Sequence, residues 1–160
     1  MPAAGKSTIG VVLAKRLGLA FLDTDVAIQT AEHRSLQDII DRDGIDAFRA
    51  LEERYVLTLE PRATVIATGG SVVYSEPAVH HLRRLGIVVH LDAGLDELRA
   101  RLSDLSGRGL VRRPGQSLTD LHAERLPLYR AAADITVVCD GLSPAAIVER
   151  VAAALDTVRP

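Results

Sequence analysis

Apolar residues along this chain recur in two patterns, one typical of amphipathic helices and the other of buried strands. Ile9, Leu13 and Leu17 lie four residues apart, which places them on one face of a helix. Gly18 follows directly, and glycine commonly ends a helix because it tolerates the left-handed conformation. We therefore predict a first helix from about Ser7 to Leu17.

Short continuous apolar runs predict buried strands that alternate with further helices. The predicted strands cover 20–22, 64–68, 87–91 and 135–138. The later helices are predicted at about 35–44, 45–60, 75–85 and 95–102, from 117 with a kink or break at Pro127, and at 143–158. This alternation predicts a three-layer α/β fold, with a parallel sheet covered on both faces and ligands bound beyond the carboxyl ends of its strands.

Composition narrows the class of protein. We expect one domain over residues 1–160, with an arginine-rich lid at about 103–117. The formal net charge of −2 argues against a nucleic-acid or membrane-surface partner, and no apolar run reaches the roughly 20 residues of a membrane span. Cys139 is the only cysteine, which excludes an internal disulfide and fits a reducing, cytoplasmic setting.

The opening residues have the order of a phosphate-binding loop. In the triplet Gly5-Lys6-Ser7, backbone N–H groups at a helix start would face an anion, Lys6 would reach phosphate oxygens and Ser7 would ligate Mg²⁺. The full motif has a glycine five positions before Gly5, so the chain begins inside the pattern. A bare triplet also occurs by chance, but its position at the same sheet edge as the acidic and glycine motifs below favours a kinase that uses a nucleoside triphosphate.

Two carboxylates and one arginine each allow a structural and a functional interpretation. Asp23 and Asp25 follow the first strand, where one could hold the metal's water shell and the other could orient or deprotonate an acceptor hydroxyl; both could equally cap a helix. Arg49 precedes Glu52 and Glu53 on one helix face, which favours a surface ion pair, although a guanidinium also suits a planar carboxylate.

Glycines and arginines supply the remaining candidates. Gly69 and Gly70 form a tight turn that would permit close approach of a ligand. Arg125 could face the cleft or the solvent, and the histidines show no metal-ligand spacing. A cluster between glycines is either a solvated loop or a lid that neutralises phosphoryl charge, and it comprises Arg108, Arg112 and Arg113.

Together these motifs resemble those of the shikimate kinase family, in order and rough spacing over nearly the whole chain. The matching segments are Gly5-Lys6-Ser7-Thr8, Asp23-Thr24-Asp25, Phe48-Arg49-Ala50-Leu51-Glu52, Thr68-Gly69-Gly70, Arg113-Pro114 and Arg125-Leu126-Pro127-Leu128-Tyr129. The resemblance implies transfer of the ATP γ-phosphate to the 3-hydroxyl of shikimate, in aromatic amino-acid synthesis. It also implies a monomer that uses Mg²⁺.

The resemblance assigns a role to each candidate. Catalysis would rest on Lys6, Asp25 and Arg113. The acceptor would be bound by Asp25, Arg49, Gly69, Gly70 and Arg125, with the arginines on its carboxylate. The metal would be held by Ser7 and Asp23. ATP would be bound by Ala3, Ala4, Gly5, Lys6, Ser7, Thr8, Arg101 and Arg113, with Arg101 on the adenine side.

Several departures from the family pattern keep alternatives open. The family usually has a third glycine where this chain has Ser71, and usually Arg-Pro-Leu where this chain has Arg113-Pro114-Gly115. Another small hydroxylated acid such as homoserine is therefore an alternative acceptor. The family sheet has strand order 2-3-1-4-5, and we expect this chain to lack the first, central strand and to leave a slot beside Val65. A nucleotide-binding module that is inactive through truncation is a further alternative.

Overall fold

A computed structural model of the protein describes residues 1–103 and 115–158. Helices and short parallel strands alternate along it. In chain order the elements are α1 (Lys6–Leu17), β1 (Ala20–Asp23), α2 (Thr24–Glu32), α3 (Leu36–Asp43), α4 (Ile45–Leu57), β2 (Thr64–Ala67), a 3-10 helix (Val72–Tyr74), α5 (Glu76–Leu85), β3 (Val89–Asp92), α6 (Leu95–Ser103), α7 (Leu118–Ala132), β4 (Ile135–Val138) and α8 (Pro144–Val158).

The strands pair in parallel, as predicted, in two half-sheets. β1 pairs with β2 from Ala20↔Thr64 to Asp23↔Ala67. β3 pairs with β4 from Val89↔Ile135 to Asp92↔Val138. Among the described residues no ladder joins β2 to β3. The α/β class with a parallel arrangement is therefore confirmed. The four described strands form two separate two-stranded ladders, β1–β2 and β3–β4.

Cavities lie between β2 and β3. One of about 250 Å³ is bounded on its helical side by α5, and one of about 290 Å³ by α1 and α8. Side chains of both half-sheets line them, including Ile66 from β2 and Val89 and Leu91 from β3. Apolar side chains of both half-sheets therefore line the space between them.

The apolar helix faces form the core. The main cluster joins α1, α7, α8 and the second half-sheet, around Leu13, Leu121, Val137 and Val148. A separate cluster around Phe48 holds α2, α3 and α4 together. Because α1 contacts β1, β2 and α8, it connects the first half-sheet to the main cluster.

Most predicted helix boundaries are confirmed, since their signals are local. Ser35, Ser75 and Ser117 each accept a backbone N–H at the start of a helix, and Ser117 with Asp120 forms a complete capping box. Gly18 ends α1 at φ 68°, a conformation that favours glycine.

The predicted break at Pro127 is wrong, because α7 runs through it without interruption. Pro127 and Ala123, four residues earlier, are both exposed, so water can reach the carbonyl that loses its N–H partner. On the opposite face Leu121, Arg125 and Tyr129 are buried, which ties both halves of the helix to the same core. Burial on one face and hydration on the other therefore outweigh the local penalty.

Two smaller boundary predictions are also corrected. β1 is half-buried rather than buried, because it has one strand neighbour among the described residues. It ends at Asp23, so Thr24 and Asp25 already belong to α2. Helix α4 ends at Leu57, where Thr58 closes it, rather than continuing to Pro61.

Most of the predicted lid at 103–117 lies outside the described residues, including Arg108, Arg112 and Arg113. Within the described part of the chain, the helices are too short or too polar for any of them to cross a membrane.

Candidate active site

The phosphate loop leads into α1 with an open helix start. Ala3 and Gly5 adopt positive φ values of 57° and 87°, while Ala4 is buried. Within the described residues no side chain caps the first turn of α1, so its N–H groups remain available to an anion. The residues predicted to bind ATP, Ala3 to Thr8, form this loop and the first turn of α1.

Lys6 lies across this loop, where its Nζ donates to the carbonyl of Met1 at 2.9 Å. Burial lowers the pKa of Lys6, while the nearby Asp25 and Asp23 carboxylates oppose that shift. The ammonium group is thus held at the loop and close to both acidic candidates.

Ser7 and Asp23, the predicted metal ligands, are in contact. Ser7 Oγ donates to Asp23 Oδ2 at 2.5 Å. The other oxygen, Asp23 Oδ1, accepts the N–H groups of Asp25 and Val26 at 3.0 and 3.3 Å, so Asp23 also caps α2. Asp23 can therefore cap α2 with one oxygen and still offer the other to a metal ion. A hydroxyl and one carboxylate fit Mg²⁺, which binds few protein oxygens and completes its shell with water and phosphate.

Asp25 lies in the first turn of α2 and faces the Gly69 turn. Its Oδ1 atom is buried and has no hydrogen-bond partner among the described residues. Burial raises the pKa of Asp25, Lys6 opposes this, and Asp23 adds to it. A Cβ atom on Gly69 would lie 2.7 Å from Asp25 Oδ1 and 1.9 Å from Glu52 Oε1. Glycine at this position therefore keeps the space between backbone and carboxylates open.

Glu52 differs from its prediction, because helical spacing favours a surface ion pair with Arg49. It is instead 1% exposed, and Ser71 Oγ donates to its Oε2 at 2.6 Å. Its Oε1 has no partner among the described residues. Burial raises the pKa of Glu52 to about 7, although the Ser71 hydrogen bond acts in the opposite direction.

Arg49 and Arg125 come together around Tyr74. The Arg49 guanidinium carbon lies 4.1 Å from the centre of the Tyr74 ring, and that of Arg125 lies 5.2 Å from it. The ion pair that Arg49 does form, with exposed Asp46, measures 3.9 Å. Arg125 is 1% exposed, which settles that it faces the interior rather than the solvent.

The Gly70 turn is fixed from α7. Tyr129 Oη donates to the carbonyl of Gly70 at 2.7 Å. A Cβ atom on Gly70 would lie 3.1 Å from Arg125 Nη1. Gly69 is held separately, since its N–H donates to Thr24 Oγ1 at 3.1 Å. The turn therefore has the carboxylates of Asp25 and Glu52 beside Gly69 and the guanidinium of Arg125 beside Gly70.

Of the remaining residues predicted to bind ATP, Arg101 and Thr8 lie within the described residues. Arg101 Nη1 donates to the carbonyl of Ala3 at 3.3 Å, and Arg101 also pairs with Glu97 at 2.9 Å, so it lies beside the phosphate loop. Thr8 is exposed on α1. Arg113 lies outside the described residues.

Sequence reasoning missed several residues that support the site: Thr24, Glu52, Ser71, Tyr74 and Tyr129. Glu52 lies within a quoted motif, but helical spacing alone does not say which helix face is buried. Ser71 was noted as a departure from a third glycine, and a polar residue beside a glycine turn is a usable signal. Tyr74 gives no such signal, since its contacts come from α4 and α7.

Known proteins resemble this chain over nearly its whole length. A protein-family model described as shikimate kinase matches residues 2–156. The chain is 38% identical to a shikimate kinase of Paracidovorax citrulli, covering 100% of this chain and 92% of that relative. It is 39% identical to one of Pseudomonas aeruginosa, covering 98% and 93%.

Solved structures show the same likeness in three dimensions. A shikimate kinase from Acinetobacter baumannii in complex with shikimate aligns with a TM-score of 0.89 at 30% identity, covering 97% of this chain and 88% of that one. One from Aquifex aeolicus aligns with a TM-score of 0.82 at 28% identity, covering 98% and 92%. From its motifs, its fold and these matches, the chain belongs to the shikimate kinase family.

Proposed function

We propose that the protein transfers the γ-phosphate of ATP to the 3-hydroxyl of shikimate. The observation that carries this proposal is the grouping of Asp25 at Gly69, of Arg125 at Gly70, and of Arg49 with Arg125 at the ring of Tyr74. A hydroxylated carboxylic acid needs both a carboxylate beside its hydroxyl and guanidinium groups for its own carboxylate. A relative whose structure contains shikimate has the same fold.

The nucleotide half of the site rests on the start of α1. The N–H groups of Ala3 to Thr8 would bind phosphate oxygens, and Lys6 would move from the Met1 carbonyl onto them. Arg101 lies beside the loop and would contact the nucleotide. By resemblance, Arg113 would add positive charge over the transferring group.

Ser7 and Asp23 would hold Mg²⁺, whose chemistry is to neutralise phosphate charge. In the described structure Ser7 donates to Asp23, so metal binding would replace this hydrogen bond. Asp23 keeps its capping contacts through the other oxygen, which fixes its orientation while Oδ2 changes partner.

The acceptor half combines orientation and proton transfer. Asp25 would accept the hydrogen bond of the attacking hydroxyl, and its raised pKa brings it closer to the range in which a carboxylate can take up a proton. Lys6 would stabilise the negative charge on the phosphoryl group in the transition state of its transfer. Arg49 and Arg125 would bind the carboxylate of shikimate. Gly69 and Gly70 would allow the shikimate ring to approach the backbone.

The decisive experiment measures ADP release by the purified chain with MgATP, with shikimate, with homoserine and without an acceptor. We expect release that depends on shikimate and is absent with homoserine. Dependence on homoserine would replace the acceptor assignment. Nucleotide binding without any acceptor-dependent release would favour a nucleotide-binding module.

The resemblance further supports a monomer, and the single cysteine, Cys139, supports a cytoplasmic setting. Sedimentation of the purified chain tests the oligomeric state, and a mass of twice 17.2 kDa would contradict it.

A further inference from the structure

Tyr74 contacts two positively charged side chains that come from different parts of the chain. Arg49 lies on α4, and Arg125 lies on α7. Tyr74 ends the 3-10 helix that directly follows the glycine turn. Both guanidinium carbons lie within 5.2 Å of its ring centre. The ring is therefore the shared contact of the two arginines proposed to bind the acceptor carboxylate.

The hydroxyl of Tyr74 fixes the ring from α7. It donates to Glu124 Oε1 at 2.8 Å and accepts from Arg125 Nε at 3.2 Å. Glu124 also accepts from Gln116 Nε2 at 2.6 Å. These bonds set the position of the ring, and the ring in turn sets the position of Arg49.

Aromatic stacking suits this task because it orients a guanidinium without using its hydrogen-bond donors. The face of the ring attracts each cation and offsets part of the repulsion between them. Arg49 Nε is buried and has no hydrogen-bond partner among the described residues. This donor therefore remains available for a planar carboxylate, which takes two parallel N–H bonds from one guanidinium.

We propose that Tyr74 is a positioning residue that sets the spacing and orientation of Arg49 and Arg125, and thereby the preference for an acceptor with a carboxylate. This inference rests on the proposed function. It assigns Tyr74 no contact with the reacting atoms. Its consequence is an effect confined to recognition of the carboxylate, with phosphoryl transfer itself unchanged.

The test compares Tyr74→Leu and Tyr74→Phe with the wild-type chain, using shikimate and its analogue in which the carboxylate is reduced to a primary alcohol. Tyr74→Leu should raise the KM for shikimate about tenfold, with little change in kcat or in the KM for ATP. Tyr74→Phe keeps the ring and loses the hydroxyl bonds, so we expect a rise of about threefold. Neither variant should change kcat/KM for the alcohol analogue.

Tyr55→Leu is the matched control, since Tyr55 packs against the cluster of α2, α3 and α4 away from the arginines. An unchanged shikimate KM in both Tyr74 variants would overturn the inference. Equal losses of kcat/KM for shikimate and for the alcohol, or an equal rise in the KM for ATP, would show a merely structural role and overturn it too. If Tyr74→Leu does not fold, the same comparison with Tyr74→Phe decides. Wild-type chain without shikimate-dependent turnover would instead overturn the proposed function, and this inference with it.

Discussion

At the scale of single residues, the site is built on carboxylates that are held away from water. Asp25 and Glu52 both present a buried oxygen without a hydrogen-bond partner among the described residues. Such groups cost stability, and they occur where a ligand completes their hydrogen bonds or where their raised pKa has a use. Lys6 lies close enough to act electrostatically on both of them.

Replacing Asp25 separates phosphoryl transfer from nucleotide binding. Asp25→Asn keeps the shape but cannot accept the proton of the acceptor hydroxyl, so we expect kcat to fall by about 100-fold or more. The dissociation constant for ATP should stay within about twofold. Asp156→Asn is the control, because Asp156 is exposed near the end of α8. An unchanged kcat in Asp25→Asn would remove this residue from the mechanism.

Glu52 makes the stability of the protein depend on pH. Its folded-state pKa of about 7 exceeds the ordinary value of 4.5, so the folded state binds the proton more tightly than the unfolded chain. The stabilisation that protonated Glu52 gives the folded state is fully present below the unfolded-state pKa of 4.5. It is lost as pH rises through the folded-state pKa of about 7, and its full magnitude is about 3 kcal/mol.

Urea unfolding of wild type and Glu52→Gln at about pH 5 and about pH 8 measures this effect. The wild type should lose more free energy of unfolding between these pH values than the variant, which cannot ionise at position 52. Exposed Glu60→Gln should behave as wild type. Equal pH dependence in Glu52→Gln and wild type would contradict the assignment.

At the scale of elements, the sequence predicted what is decided locally. The serine caps at 35, 75 and 117 and the glycine at 18 act within one helical turn, so their residue types are sufficient evidence. The continuity of α7 depends on which face is buried, and the burial of Glu52 depends on contact with Ser71. Both require tertiary packing that spacing along one element does not contain.

The proline of α7 tests how this element is held. Pro127→Ala restores a backbone donor and removes a steric conflict on the exposed face, so the free energy of unfolding should rise by about 1 to 3 kcal/mol. Pro144→Ala is the matched control, because Pro144 opens α8 where proline is favoured and the change should stabilise nothing. A Pro127→Ala chain that is no more stable than wild type would show that α7 tolerates its proline without cost.

At the scale of the whole molecule, the acceptor site depends on both half-sheets. Asp25 and Gly69 follow β1 and β2, whereas Arg125 lies on α7, which leads into β4. The strand pattern predicted that Asp25 and Gly69 would meet at one edge, because carboxyl ends of parallel strands point the same way, whereas only the family resemblance implied a place for Arg125 there. The expected slot beside Val65 gives no size for the cavities between β2 and β3, because that size depends on the packing of α1, α5 and α8 around them.

Those cavities should make the stability of the folded state depend on pressure. Unfolding eliminates any part of these cavities that water does not fill, so hydrostatic pressure should favour the unfolded chain, with a volume change of roughly −20 to −100 mL/mol. Tyrosine fluorescence under pressure follows the transition, since the chain has no tryptophan. Val89→Leu, which adds volume beside both cavities, should reduce the volume change, whereas Val26→Leu at a position 57% exposed should not. A wild-type volume change near zero would show that the space between the half-sheets does not persist in solution.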